Sequence, residues 1–146
     1  MLFPLFVDLS EKDILFVGGG AVADRRVHAL LEFAGHISVV APELTEGLRQ
    51  LADSGRIHTL QRSFEPEDPK GRDFVFAATD DARLNRRIAA LCREMNIPVN
   101  VSSDQELCDF QFPSVLRDGD VVIGINASGK NHRLVKETRK KLEDIL

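Results

Sequence analysis

The fold is decided by the stretch Ile14-Leu15-Phe16-Val17-Gly18-Gly19-Gly20-Ala21-Val22-Ala23-Asp24-Arg25-Arg26. Its first four residues are apolar and uninterrupted, which is too short for a helix and predicts a strand buried on both faces. Three glycines end this strand, and a helical pattern follows them. The stretch therefore predicts a strand, a tight turn and a helix in direct succession.

The turn carries the dinucleotide-binding spacing Gly18-x-Gly20-x-x-Ala23. In this pattern the first glycine permits the turn, the second lets the backbone approach a pyrophosphate, and the small third residue lets the helix pack close to the strand. The pyrophosphate would bind at the N-terminus of the helix. Glycine triplets also occur in turns that bind nothing. We predict that the cofactor contacts Gly18, Gly19, Gly20, Ala21 and Val22.

Length and composition are those of one globular domain of 146 residues. No apolar run approaches the ~20 residues that a membrane helix needs, and a signal peptide is not recognisable at the N-terminus. We therefore expect a cytoplasmic protein with no membrane partner. Cys92 and Cys108 are sixteen positions apart, which favours two reduced core cysteines over a zinc site, and no metal site is predicted.

The charge is unevenly distributed along the chain. The net charge is −4, yet residues 117–146 contain seven Lys or Arg and five Asp or Glu, a local +2. An acidic body argues against general binding of nucleic acid, and the basic tail fits either a small anionic ligand or a solvated helix face.

Strand and helix patterns alternate through most of the chain. Strands are predicted at residues 13–17, 37–40, 56–62, 74–78 and 97–101, and helices at residues 22–34, 44–53 and 82–95. This alternation predicts an α/β fold, a Rossmann-type parallel sheet with right-handed crossovers. The apolar lead-in at residues 2–9 contains Pro4, so we expect it to pack on the sheet edge.

Polar residues follow two of the predicted strands. Glu43 lies twenty-three residues after Gly20, where an acid can accept hydrogen bonds from the adenosine ribose and repel a 2′-phosphate. With Pro42 it predicts NAD rather than NADP as the cofactor, although both residues also suit the first turn of a helix. Thr79 and Asp80 follow a fully apolar strand, where they could contact the cofactor or cap the next helix.

The last part of the chain changes character after Pro113. A turn at Asp118 and Gly119, one strand at residues 120–125 and a charged helix from about Arg133 are too little to form a core alone. We therefore predict an NAD-binding domain at residues 1–112 and a small strand-helix segment at residues 113–146, which docks on the domain or on a second subunit.

Seven short motifs together resemble one family. They are Phe3-Pro4-Leu5-Phe6, Gly18-Gly19-Gly20-Ala21-Val22-Ala23, Val39-Val40-Ala41-Pro42-Glu43, Ala77-Ala78-Thr79-Asp80-Asp81 with Leu84-Asn85, Val99-Asn100-Val101, Glu106-Leu107-Cys108-Asp109-Phe110-Gln111-Phe112-Pro113 and Ser128-Gly129-Lys130. Their order and spacing resemble those of the precorrin-2 dehydrogenases, which also form the N-terminal part of siroheme synthases. The resemblance covers essentially the whole chain.

The resemblance implies NAD-dependent oxidation of precorrin-2 to sirohydrochlorin in siroheme or related tetrapyrrole synthesis. It also implies a homodimer formed largely through the segment after Pro113. Relatives carry two adjacent acids after the fifth strand, and the first is regarded as catalytic; Ser103 and Asp104 hold these positions here. Since precorrin-2 carries many carboxylates, we expect Arg117, Lys130 and Arg133 to bind it in a cleft that the tail completes.

Two other functions remain open on the sequence alone. The first is a bifunctional enzyme that also inserts ferrous iron into sirohydrochlorin. The second is a regulatory domain that senses NAD without chemistry, since such domains share the glycine turn and a similar Thr-Asp-Asp. Asp104 could be a proton acceptor or only a turn-forming residue, and His132 in its polar stretch is more typical of an exposed histidine than of a catalytic one.

Overall fold

Five parallel strands form the sheet that the buried apolar runs predict. In the computed structural model, which describes residues 1–146 without a gap, they are β1 (Asp13–Val17), β2 (His36–Val40), β3 (His58–Leu60), β4 (Phe74–Ala77) and β5 (Val99–Val101). Their order across the sheet is β3-β2-β1-β4-β5, and every neighbouring pair is parallel. Starting from β1, the chain adds β2 and β3 on one side of the sheet and then β4 and β5 on the other. This arrangement confirms the α/β, Rossmann-type sheet.

Three helices connect these strands: α1 (Ala21–Leu30), α2 (Glu46–Asp53) and α3 (Ala82–Glu94). Each is amphipathic, and its apolar residues recur at three- and four-residue steps; α1, for example, buries Ala23, Val27 and Leu30. The helix predicted from residue 44 begins two residues later, because the Thr45 hydroxyl oxygen accepts the N–H of Leu48 and thereby caps α2.

The core lies where the sequence is most apolar. Ile14, Leu15 and Phe16 of β1 are completely buried, as expected for a central strand covered on both faces. On one side of the sheet, Ile88, Ala89 and Cys92 of α3 pack against β4 and β5. On the other, the rings of Phe16 and Phe76 stack with their centroids 4.4 Å apart.

The chain divides into two compact units. Residues 7–110 form one, which we call the sheet unit; residues 1–6 and 111–146 form the other, which we call the C-terminal unit. The division differs from the predicted boundary after residue 112 chiefly at residues 1–6. These apolar residues were expected on the sheet edge, but they group with the end of the chain.

The C-terminal unit contains an antiparallel hairpin and a helix. The hairpin consists of β6 (Ser114–Asp118) and β7 (Val121–Ile125), and the helix is α4 (His132–Ile145). The sequence predicted only one strand here; β6 went unrecognised because it directly follows Pro113 and its last two residues, Arg117 and Asp118, are polar. Arg139 Nη1 fastens α4 to β6 by donating to Ser114 Oγ and to the Val115 carbonyl, both at 2.9 Å.

Several element boundaries differ from the expectation: α1 ends at Leu30 rather than at residue 34, and β5 begins at Val99 rather than at residue 97. β3 has three residues rather than the seven predicted, because its outer residues pair with no neighbour. Residues 105–107 form a short 3₁₀ turn, which no periodic pattern of apolar residues in the sequence predicts. None of the helices is both long and apolar enough to cross a membrane.

Candidate functional site

The predicted site residues of the sheet unit meet at one edge of the sheet. Val17, the last residue of β1, pairs with Val40 of β2 and with Ala77 of β4, and Ala77 pairs with Val101 of β5. Because these four strands end in register, the loops that follow them lie side by side. The predicted site residues of the sheet unit therefore lie at the carboxyl edge, where open parallel sheets bind ligands.

Gly18 forms the sharp exit from β1. Its φ is +117°, and a Cβ placed there would run into the backbone carbonyl of Ala78. Its own N–H donates to the Val40 carbonyl at 2.9 Å, which keeps the turn level with the end of β2. Only glycine combines this backbone angle with so close an approach.

Gly20 and the first turn of α1 present an open surface. A Cβ at Gly20 would meet no atom within 4 Å, and no side chain caps α1 at this residue. The other three helices are capped, by Thr45, Asp81 and Asn131. Ala21 is exposed and Val22 half-buried in the first turn of α1, so this turn has the free N–H groups and the space that a pyrophosphate requires.

Gly19 has a packing role instead. A Cβ at this position would collide with the backbone carbonyl of Glu43, and the Gly19 carbonyl accepts the N–H of Thr45 at 3.0 Å. The glycine turn and the loop after β2 are therefore in direct contact. Glu43 and Pro42 lie in that loop, both exposed and both before the start of α2.

Asp24 and Thr45 hold this loop in place, and neither was predicted from the sequence. The Thr45 hydroxyl donates to Asp24 Oδ2 at 2.6 Å, and Asp24 Oδ1 lies 2.7 Å from His28 Nδ1. The signal available in the sequence was weak, since a threonine before a helix predicts a cap but says nothing about its second partner.

A buried asparagine connects the loops that follow β4 and β5. Asn85 in α3 is completely buried, and its amide bonds both backbone groups and the hydroxyl of Thr79 as well as the hydroxyl of Ser103. Asp81 caps α3, while Asp80 is exposed. The sequence did offer a signal for Asn85, since it occupies a position on the inner face of an otherwise apolar helix stripe.

Ser103 and Asp104 lie just after β5. The hydroxyl oxygen of Ser103 is 3.0 Å from Asn85 Nδ2. Asp104 Oδ1 accepts the N–H of Glu106 at 3.0 Å, which caps the 3₁₀ turn at residues 105–107. Asp104 thus has the turn-forming role that its position allowed, and its second carboxylate oxygen could still accept a proton.

The segment 106–110 borders β5, the strand at the end of the sheet. Asp109 N–H donates to the Val99 carbonyl and its carboxylate accepts the Val99 N–H, at 2.9 and 3.0 Å. The Cys108 thiol lies 3.1 Å from the N–H and 3.2 Å from the carbonyl of Val101. These bonds satisfy backbone groups that an edge strand would otherwise leave unpaired.

Arg26 and Asn100 connect α1 and β5 to the segment 106–110 by hydrogen bonds. Arg26 Nη1 donates to Asn100 Oδ1 at 2.8 Å, and Asn100 Nδ2 donates to the Phe110 carbonyl at 2.9 Å. Burial, with a smaller contribution from the charge of Arg25, lowers the pKa of the Arg26 guanidinium from its usual value. Neither residue was predicted, because nothing local in the sequence pairs α1 with β5.

Both cysteines are held as neutral thiols. Burial, reinforced by the charge of Asp109, raises the pKa of Cys92 to about 11. Burial also raises the pKa of Cys108, although its hydrogen bond with Val101 and the charge of Arg26 partly oppose that shift. Neither thiol is bonded in a disulfide, and the residues that could ligate a metal do not gather into a group of three.

Arg62 follows β3 and is bound by Asp68. Its two terminal nitrogens donate to the two carboxylate oxygens at 2.7 and 2.9 Å. Burial raises the pKa of Asp68, but the hydrogen bonds from Arg62 and from the N–H of Glu65 outweigh it, and the pKa lies below its ordinary value. This guanidinium is therefore already engaged at the carboxyl edge of β3.

The cations predicted to bind substrate all lie in the C-terminal unit, in different environments. Arg117 Nε donates to the Gly119 carbonyl at 2.9 Å across the hairpin turn. Arg133 is exposed and lies 3.5 Å from Glu137, and Lys130 is exposed in the loop before α4. Arg139, a further cation of the basic tail, donates hydrogen bonds to β6, and its Nε lies 2.8 Å from Glu143 Oε1.

A cavity lies at the opposite, amino edge of the sheet. Its volume is about 560 Å³, and its lining includes Asp13, His36, His58 and Arg72. Arg72 is engaged there, since its Nη1 donates to Ser38 Oγ at 3.0 Å. None of the predicted site residues contributes to this cavity.

Comparison with known proteins finds relatives along nearly the whole chain. The siroheme synthases of Photorhabdus laumondii and Vesicomyosocius okutanii are 40% and 35% identical to it over 143 residues, which is 98% of this chain. The alignments cover 30% and 31% of those relatives, so the chain spans about a third of their length. The resemblance to siroheme synthases that the motifs indicated is confirmed.

Solved structures share the fold. A structure described as SirC, precorrin-2 dehydrogenase, has a TM-score of 0.79 at 24% identity, covering 99% of this chain and 71% of that one. A tRNA N6-threonylcarbamoyladenosine dehydratase from E. coli, in complex with AMP, has a TM-score of 0.53 at 18% identity over 62% of this chain and 50% of its own. At these identities the likeness extends to the fold.

A family model described as "Putative NAD(P)-binding" matches residues 5–114. The matched range contains the entire sheet unit, with the turn at Gly18, the open first turn of α1 and the loop that carries Glu43. Since it covers most of the chain, this protein belongs to that NAD(P)-binding family.

Proposed function

We propose that this chain binds NAD at the carboxyl edge of its sheet and oxidises precorrin-2 to sirohydrochlorin. The observation that carries the proposal is the alignment with siroheme synthases over 98% of the chain, because the resemblance reaches beyond the nucleotide-binding part into the C-terminal unit. A domain that only sensed a nucleotide would have no need of the second part.

The residues at the carboxyl edge suit a dinucleotide. The uncapped first turn of α1 offers free N–H groups to a pyrophosphate, and the open space at Gly20 allows its approach. When bound, NAD supplies the chemistry by accepting a hydride from the substrate. The protein then has to place the substrate carbon and take up a proton, for which Asp104 has a carboxylate oxygen outside its helix-capping bond.

Two features favour NAD over NADP. Glu43 is exposed in the loop after β2, where a carboxylate accepts ribose hydroxyl bonds and repels a 2′-phosphate. Arg62, the cation that follows the neighbouring β3, is paired with both oxygens of Asp68 and is not free to bind that phosphate.

Binding of the tetrapyrrole and assembly form the second part of the proposal. Lys130 and Arg133 are exposed in the basic tail, and with Arg117 they would attract the substrate carboxylates. The C-terminal unit would pair with its copy in a homodimer, and the enzyme would work in the cytoplasm. The exposed apolar side chains of this unit support the dimer.

The decisive experiment mixes the purified protein with NAD and precorrin-2 without oxygen and follows NADH absorbance. The proposal expects NADH and sirohydrochlorin to appear in equal amounts. The matched control is Gly20→Val, which places a branched side chain over the open turn and should lower NAD affinity at least ~100-fold while the fold survives. NAD binding without NADH formation would instead favour the sensing domain.

The cofactor preference has its own test. Glu43→Ala should reduce the ratio of NADP to NAD dissociation constants by about 5- to 10-fold, because one repulsive carboxylate is removed. Isothermal titration with both nucleotides measures this ratio. Equal affinity of the native protein for NAD and NADP would contradict the assignment of Glu43.

A further inference from the structure

Asn85 is the one polar side chain of α3 that is completely buried. It lies in the first turn of the helix, beneath the loops that follow β4 and β5. A primary amide in such a position must satisfy two donors and two acceptor lone pairs within the protein. The hydrogen-bond partners of the Asn85 amide therefore indicate which groups of the two loops it positions.

The orientation of this amide is fixed by Thr79. The Thr79 N–H lies 3.3 Å from Asn85 Oδ1, and the Thr79 carbonyl lies 3.1 Å from Asn85 Nδ2. A backbone N–H can only donate and a carbonyl can only accept, so the oxygen and the nitrogen of the side chain cannot be exchanged. The Thr79 hydroxyl also donates to Oδ1, at 2.6 Å.

This orientation determines the role of Ser103. Asn85 Nδ2 lies 3.0 Å from Ser103 Oγ, and since an amide nitrogen only donates, the serine oxygen is the acceptor. The hydroxyl proton of Ser103 must then point elsewhere. Ser103 is exposed, so its O–H is available to a ligand at the carboxyl edge.

We propose that Asn85 is a positioning residue that makes Ser103 a hydrogen-bond donor to a carboxylate of the tetrapyrrole substrate. The inference rests on the proposed function for the identity of the substrate. A serine hydroxyl bonded to an amide has no basic partner, so it takes no proton from the substrate. The Ser103 hydroxyl binds the substrate carboxylate, and hydrogen bonds through Asn85 connect Ser103 to the loop at Thr79.

Ser102 provides a matched control. It adjoins Ser103, but its hydroxyl donates to the Ala77 carbonyl at 3.2 Å, so its proton is committed to the backbone. Ser103→Ala should raise the KM for precorrin-2 about 10-fold, the loss expected for one bond to a charged group, and leave the KM for NAD unchanged. Ser102→Ala should leave both KM values within about 2-fold of the native ones, and Ser103→Thr should recover most of the loss.

The contribution of Asn85 is measured in a double-mutant cycle. Asn85→Asp keeps the shape and both acceptor bonds but, when ionised, can donate neither to Ser103 nor to the Thr79 carbonyl. In that background Ser103→Ala should have little further effect on KM, whereas two independent residues would show additive losses. Activity of Asn85→Asp should also rise towards acid pH, where its protonated carboxyl regains one donor.

Two results would overturn the inference. Ser103→Asp should weaken substrate binding by repulsion between carboxylates; a higher kcat with a new pH dependence would mean that this position serves a base. Binding of an octacarboxylate porphyrin, followed by fluorescence quenching, gives a readout without turnover, and equal binding by the native protein and Ser103→Ala would also overturn it. A native protein that binds the porphyrin better than Ser103→Ala yet forms no NADH would reject the dehydrogenase proposal and retain this one.

Discussion

The two units of the chain bury their apolar residues to very different extents. The sheet unit contributes every residue of the buried hydrophobic core except Leu116, which is the single such residue of the C-terminal unit. The large apolar residues that remain exposed show the opposite distribution. Apart from Val7 they all belong to the C-terminal unit: Met1, Leu2, Phe3, Leu5, Phe6, Val121, Leu134, Ile145 and Leu146.

This contrast indicates how each unit is stabilised. The sheet unit has a parallel sheet covered on both faces, which is a complete hydrophobic core. The C-terminal unit has a hairpin, one helix without a buried residue and a few polar bonds such as those of Arg139. Exposed apolar residues in this number are typical of a surface that another protein covers.

The largest effect is expected from Gly18→Val in the sheet unit. The new side chain would collide with the Ala78 carbonyl at a φ of +117°, so both strain and overpacking act at once. We expect the free energy of unfolding to fall by at least ~3 kcal/mol, measured by urea denaturation. Gly20→Val, with open space at the same turn, should change it by no more than ~1 kcal/mol. Similar losses for both variants would contradict the geometry of the turn.

The second effect concerns the surface of the C-terminal unit. Ile145→Glu introduces a charge at a residue that is 78% exposed in the single chain. If a second copy covers this surface, the variant should weaken the dimer at least ~10-fold in sedimentation experiments and leave NAD affinity unchanged. Val7→Glu, in the sheet unit, is the control and should leave the dimer intact. A native protein that sediments as a monomer would refute the dimer.

Sequence reasoning was most successful where a local pattern has one physical cause. The apolar runs predicted β1 and β4 because only a strand buries four consecutive residues on two faces, and the order of the glycines predicted the turn before α1. It did not predict three hydrogen bonds between distant residues: Thr45 with Asp24, Asn85 with Ser103, and Arg26 with Asn100. Each of these pairs joins residues 18 to 74 positions apart, and the partner is determined by tertiary packing.

The third effect is the salt dependence of the two ligands. The proposed substrate contacts are exposed charges of the C-terminal unit, whereas the pyrophosphate contacts are backbone N–H groups of the sheet unit. Raising the salt concentration from 0.05 to 0.5 M, chosen to shorten the Debye length from roughly 14 to 4 Å, should raise the KM for precorrin-2 about 5-fold or more. The KM for NAD should change about 2-fold or less. An equal change in both would mean that the basic tail does not bind the substrate.

The smallest effect is a pH dependence within the sheet unit. The pKa of Asp68 is lowered in the folded protein, so its pairing with Arg62 contributes stability that is fully present above the unfolded pKa of about 3.9 and is lost as the pH falls through the folded value. Asp68→Asn should therefore lower the melting temperature by about 1–4 °C at pH 7, and the difference from the native protein should shrink below pH 4. The same substitution releases the Arg62 guanidinium, so NADP affinity should rise while NAD affinity stays constant. A melting difference that stays the same between pH 7 and pH 3 would show that the ion pair contributes nothing, and that Asp68 stabilises its loop by a contact that does not depend on its charge.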